Sequence, residues 1–110
     1  MKLTIRSIIA GAALAVAAAA QAQIEKPDVH IAIGGKSALY YLPLTLAERL
    51  GYFKDEGLNI RISDFPGGSR SLQAGVGGSA DCVSGAYENT VHMQSRGQHS
   101  VSFVLSGAPP

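Results

Sequence analysis

Tyr40-Tyr41-Leu42-Pro43-Leu44-Thr45-Leu46-Ala47-Glu48-Arg49-Leu50-Gly51, continuing as Tyr52-Phe53-Lys54-Asp55-Glu56-Gly57 into Leu58-Asn59-Ile60-Arg61-Ile62, is the stretch that decides the fold. Leu39, Leu42, Leu46, Ala47 and Leu50 recur at helical spacing, whereas Leu58, Ile60 and Ile62 alternate with period two. Pro43 must lie in the first helical turn, because an interior proline loses a hydrogen bond and clashes with the preceding turn. The helix therefore starts near Tyr41, and Gly51 behind Arg49 is a left-handed stop. Tyr52 to Glu56 adds one short turn closed by Gly57, and a strand follows that ends near Asp64 or Phe65.

Working outward, Val29-His30-Ile31-Ala32-Ile33 before Gly34-Gly35 forms the first strand. On the other side Pro66-Gly67-Gly68 supplies turn chemistry, and Ser69 is placed to cap a helix running through Val76. Gly75 weakens that helix by about 1 kcal/mol relative to alanine. Ala80 to Ser84 forms a third strand, Tyr87 to Arg96 a third helix stopped by Gly97, and Ser100 to Leu105 a fourth strand. Strict alternation of strand and helix implies right-handed βαβ units and a parallel sheet covered on both faces. The expected class is α/β, a three-layer βαβ parallel sheet.

The amino-terminal end follows a different logic. The chain has 110 residues and 46% hydrophobic content, but 16 of the apolar side chains fall within the first 22 residues. Lys2 and Arg6 precede an uncharged alanine-rich run, and Ala20-Gln21-Ala22 is a small-x-small site, the layout of a cleaved signal peptide. Its core is short for a helix crossing ~30 Å of hydrocarbon. Residues 1–22 are thus expected to be a signal peptide, and 23–110, whose last strand is followed only by Ser106–Pro110, an incomplete part of a larger domain. Beyond residue 22, seven Lys and Arg face eight Asp and Glu, so no basic surface invites nucleic acid. Cys82 alone cannot form an internal disulfide and is expected to be a small buried hydrophobe.

Ligands of open parallel sheets bind at the carboxyl ends of the strands, where helix amino termini aim unpaired N–H groups. Three segments fit that position: Gly35 to Tyr41, Pro66 to Arg70, and Ser84 to Tyr87. The candidate ligand-binding residues are Ser37, Ala38, Tyr40, Tyr41, Gly67, Gly68, Ser69, Ser84, Gly85 and Tyr87. Tyr41 and Tyr87 are expected to form one wall of a cleft. Arg70 could clamp an anion or stay solvated, and Asp81 could cap a neighbouring loop or face the cleft. Gly35-Lys36-Ser37 imitates the end of a phosphate-binding loop, yet the required earlier glycine falls at His30. Gly75-Val76-Gly77-Gly78 precedes a strand where a dinucleotide fingerprint would follow one. His92 and His99 lack the partners of a metal site. Neither a catalytic residue, a metal nor a cofactor is expected.

The run from Tyr40 to Leu58, with Phe65-Pro66-Gly67-Gly68-Ser69 and Gly78-Ser79-Ala80-Asp81, resembles substrate-binding proteins of ABC importers in the nitrate, sulfonate and taurine group. These are NMT1/THI5-like proteins of the type II periplasmic-binding-protein fold, related to binders of thiamine-pyrimidine precursors. The resemblance implies a two-lobed periplasmic receptor, monomeric when full length, that closes on a small solute and docks on an inner-membrane permease. The chain would correspond to the signal peptide and the first part of the first lobe. Its ligand-lining loops map to Ser37–Tyr41, Gly67–Ser69 and Ser84–Tyr87, the segments already placed at the sheet edge. Two rival readings are an exported sensory or interaction module and a pyrimidine-synthase-like enzyme.

Overall fold

A computed structural model of the chain describes residues 24–106. The segment read as a signal peptide lies outside them. Three strands, β1 (Asp28–Gly34), β2 (Asn59–Phe65) and β3 (Cys82–Ser84), form one parallel sheet in the order β2-β1-β3. The helices are α1 (Leu42–Leu50), α2 (Tyr52–Asp55), α3 (Gly68–Val76) and α4 (Glu88–Ser95), with a 3-10 turn at Leu39–Tyr41. This is a mixed α/β sheet flanked by helices, the architecture expected for part of a periplasmic-binding-protein lobe. Among the described residues no helix is long and apolar enough to cross a membrane.

The punctuation lies where the backbone requires it. Pro43 sits in the first turn of α1, and Gly51, at φ +81°, ends it in the left-handed conformation that costs glycine nothing. Because side chains alternate across a strand, Ala32, Val83 and Phe65 share one face of the sheet. There they pack with Ala74 of α3 and with Ala80. The small residues bring helix and sheet close together: a β-carbon at Gly75 would run into the Val83 side chain. The glycine that weakens α3 as an isolated helix is thus what lets it lie on β3.

Three expectations need correction. Ser69 does not cap α3: the helix begins at Gly68, two residues earlier than a Ser69 cap would give, Gly67 occupies the cap position, and no side chain caps it. Gly67 takes φ +98° and ψ 157°, and the Ser71 hydroxyl instead donates to the Gly68 carbonyl at 2.8 Å. The third strand begins at Cys82, because Ser79 and Ala80 donate their N–H groups to the Ala74 carbonyl and so close the end of α3. The fourth strand is absent: residues 98–106 carry no regular structure, and Val101, Phe103 and Leu105 are 86%, 76% and 80% exposed. Alternation supplies a strand with a preferred face, but a strand exists only through a ladder partner, and none among the described residues pairs with this segment.

Candidate functional site

Register brings the three strands to a common edge. Gly34 lies beside Phe65, and Ile33 lies beside Ser84, so β1, β2 and β3 end level. The segments Gly35–Tyr41, Pro66–Ser69 and Gly85–Tyr87 leave from that one edge, as the βαβ reading requires. Their union rests on backbone proximity. A β-carbon at Gly34 would stand 2.6 Å from the Gly67 carbonyl oxygen, so the first two loops touch only because Gly34 has no side chain.

Tyr41 ties the edge together. It is only 2% exposed, and its hydroxyl accepts the Gly34 N–H and donates to the Ser84 carbonyl, both at 3.1 Å. The phenol thus satisfies two backbone groups at the ends of β1 and β3. Burial pushes its pKa above the ordinary value, while the Gly34 N–H, which would also stabilise a phenolate, opposes that push. Its ring lies 4.3 Å, centroid to centroid, from that of Tyr40, tilted by 48°. The expected wall of Tyr41 and Tyr87 is therefore not formed: Tyr41 is packed inside, whereas Tyr87 is 69% exposed. An aromatic ring with a hydroxyl can serve a buried backbone as well as a ligand, and the sequence does not separate those uses.

The other candidates sit at the open side of the edge. Ser37, Tyr40, Gly67, Ser69 and Gly85 are exposed, and Ala38, Gly68 and Ser84 are half-buried. A β-carbon at Gly68 would meet nothing within 4 Å, so the side of the α3 amino terminus where it would project is open. Arg70 is exposed and makes no ion pair among the described residues. Ser69 also lines a groove of about 260 Å³ that runs between α3 and α4 past Asn89, His92 and Arg96.

Asp64 was not singled out from the sequence. One of its carboxylate oxygens accepts the N–H groups of Gly35 and Lys36, at 2.8 and 2.9 Å, which fastens the loop after β1 to the end of β2. Lys36 in turn reaches Glu48 of α1 at 2.7 Å. Asp64 and Gly35 are 29 residues apart, and only strand register makes them neighbours. No local spacing could have revealed the pair.

Asp81 belongs to the opposite edge. It accepts the His30 N–H at 2.9 Å and pairs with Lys26, and both contacts hold its carboxyl below the usual carboxylate range, the lysine more strongly. The His30 ring there bridges the Ser79 carbonyl and the Ser63 hydroxyl, each at 2.7 Å. A hollow of about 410 Å³ beside these groups is lined by Asp28, Asn59 and Arg61 as well. Half-buried Cys82 has its thiol pKa raised by burial first and by Asp81 second, the environment of an inert thiol. Among the described residues no group of three or more His, Cys, Asp or Glu could hold a metal ion.

This arrangement has counterparts. A solved structure from Bordetella bronchiseptica RB50 matches with a TM-score of 0.68 and 62% identity, over 69% of this chain and 24% of that one. YtlA of Bacillus subtilis strain 168, which carries the description of a binding protein, is 27% identical over 60 residues, 54% of this chain and 18% of its own length. The chain thus spans about a quarter of the solved relative and under a fifth of the curated one. The profile described as NMT1/THI5 like matches residues 38–106, from the turn before α1 to the end of the described chain. Those residues make up well over half of the sequence and include β2, β3 and all four helices, so the chain belongs to the NMT1/THI5-like family.

Proposed function

We propose that this chain is the opening part of the first lobe of a solute receptor. The protein would capture a small solute in the periplasm, after export directed by residues 1–22, and deliver it to the permease of an ABC importer. One observation carries the reading: three glycine- and serine-bearing loops leave one level sheet edge, with the Gly34 backbone against Gly67 and the open amino terminus of α3 between them. Such an edge offers backbone donors and small residues to a compact polar solute. It forms one wall only, and a second lobe would supply the other and close over the ligand. Binding rather than turnover is the proposed activity.

Calorimetric titration of the full-length protein with nitrate, taurine, ethanesulfonate and a hydroxymethyl-aminopyrimidine tests the proposal. Saturable micromolar binding of one of them, with the solute recovered unchanged, is expected. Conversion of the bound compound would transfer the protein to the enzyme reading. Indifference to all four would remove the solute classes named here.

A further inference from the structure

We infer that Asp64 is a positioning residue of the proposed solute site, a carboxylate of the chain itself that occupies the paired Gly35 and Lys36 amides of the loop after β1, where an anion from outside would otherwise be received. The inference rests on the solute-binding reading and adds to it which backbone donors are spent and which remain. Gly35 adopts φ +99°, and with that backbone the consecutive N–H groups of Gly35 and Lys36 converge on one oxygen. Successive amides arranged in this way form a small concave anion receptor. In this chain the receptor is occupied from within by Asp64.

Two consequences follow for the ligand. The Gly35-Lys36-Ser37 segment does not hold a phosphate, sulfonate or nitrate group, because its amides already serve a carboxylate and a second anion would meet that charge. The Lys36 ammonium does not offset this, since it is directed to Glu48. An acidic group of a solute is left with the α3 side of the edge, where the Gly68 and Ser69 N–H groups lack intrahelical acceptors while those of Arg70 and Ser71 are taken by the Gly67 carbonyl. The second consequence concerns order. The 3-10 turn Leu39–Tyr41 hangs between the Gly35–Lys36 amides at one end and the Tyr41 hydroxyl at the other. Removing the Asp64 acceptor frees the first anchor, so the loop must be ordered at the cost of binding energy.

The test uses the full-length protein and two variants, Asp64→Ala, which deletes the acceptor, and Asp64→Asn, which keeps an acceptor oxygen without the charge. Amide hydrogen exchange needs no ligand. Gly35 and Lys36 should be protected in the parent protein, lose about tenfold or more in Asp64→Ala, and keep most protection in Asp64→Asn, with α1 unchanged throughout. The solute from the four-compound panel that binds the parent should bind Asp64→Ala about tenfold more weakly and Asp64→Asn within about threefold. Fast exchange at Gly35 and Lys36 in the parent protein would overturn the inference even if Asp64→Ala fails to fold. So would equal losses in both variants, or undiminished affinity in an Asp64→Ala protein whose protection is gone. Where no panel compound binds the parent, the solute reading fails for these classes, and the exchange pattern alone upholds or sinks Asp64 as the brace.

Discussion

At the scale of single residues, Tyr41 and Asp64 show how side chains are consumed in holding backbone. Tyr41→Phe keeps the ring but leaves the Gly34 N–H and the Ser84 carbonyl without their partner, and a buried group in that condition costs about 1–3 kcal/mol. Denaturant unfolding of the full-length protein should show a loss of that size. The same hydroxyl has a pH consequence. A folded-state pKa raised above the unfolded one gives stability that is complete below the ordinary tyrosine range and is lost as pH climbs through the folded value. Stability should thus fall on the alkaline side of about pH 10, and Tyr41→Phe should flatten that fall. Gly68 makes a separate case, because the open space where its β-carbon would project is the space that the proposed solute would enter. Gly68→Val should abolish solute binding while Arg70→Ala, at an exposed side chain with no ion pair among the described residues, only weakens it. Titrations giving the reverse order would turn recognition from backbone to charge.

At the scale of elements, α3 is shaped by two opposed preferences. Helix propensity favours alanine at Gly75 by about 1 kcal/mol, yet the added β-carbon would overlap the stiff Val83 side chain on β3. Overpacking of this kind costs about 1–3 kcal/mol, so Gly75→Ala should destabilise the protein. In a Val83→Ala background the obstruction is gone, and the same change should become neutral or stabilising. Unfolding free energies of the four proteins in this cycle check the claim. The elements also show where periodicity is enough. α1 was legible to its proline and its terminal glycine because helix stops are local backbone chemistry. The strand expected at Ser100–Leu105 was legible only as a preference, since its pairing depends on a neighbour that local sequence cannot supply.

At the scale of the whole molecule, the described residues bury little large apolar surface. The buried hydrophobic set is Ala32, Ile33, Tyr41, Ala74, Ala80 and Met93, while Val101, Phe103, Val104 and Leu105 are exposed, and the outer strands of the sheet are β2 and β3. Unpaired strand edges with exposed apolar residues favour association, so residues 23–110 alone should be marginal or aggregation-prone, with weak hydrogen-exchange protection. Strong global protection in a monomer would contradict this. In the proposed receptor the sheet edge is one wall of a cleft, and one wall cannot bury most of a small solute. The 110-residue chain should therefore bind the panel no better than about millimolar, roughly 4 kcal/mol, and the full-length protein micromolar or tighter, roughly 8 kcal/mol. Micromolar binding by the shorter chain would mean that its own loops suffice.

By itself the sequence determined the order of strands and helices from β1 to α4, the helix stops at Gly51 and Gly97, the parallel α/β class and the edge at which the three loops gather. These follow from the period of apolar residues and from the backbone freedom of glycine and proline, which act within a few positions along the chain. Only the tertiary structure decided that Tyr41 turns inward, that Asp64 occupies the Gly35–Lys36 amides, that Asp81 belongs to the opposite edge, and that Gly34 and Gly75 are places of close approach. Each of these joins residues far apart in sequence through strand register or helix-on-sheet packing. Which polar group meets which is set by those distances, and residue type alone leaves both a ligand and the protein's own backbone as equally good partners.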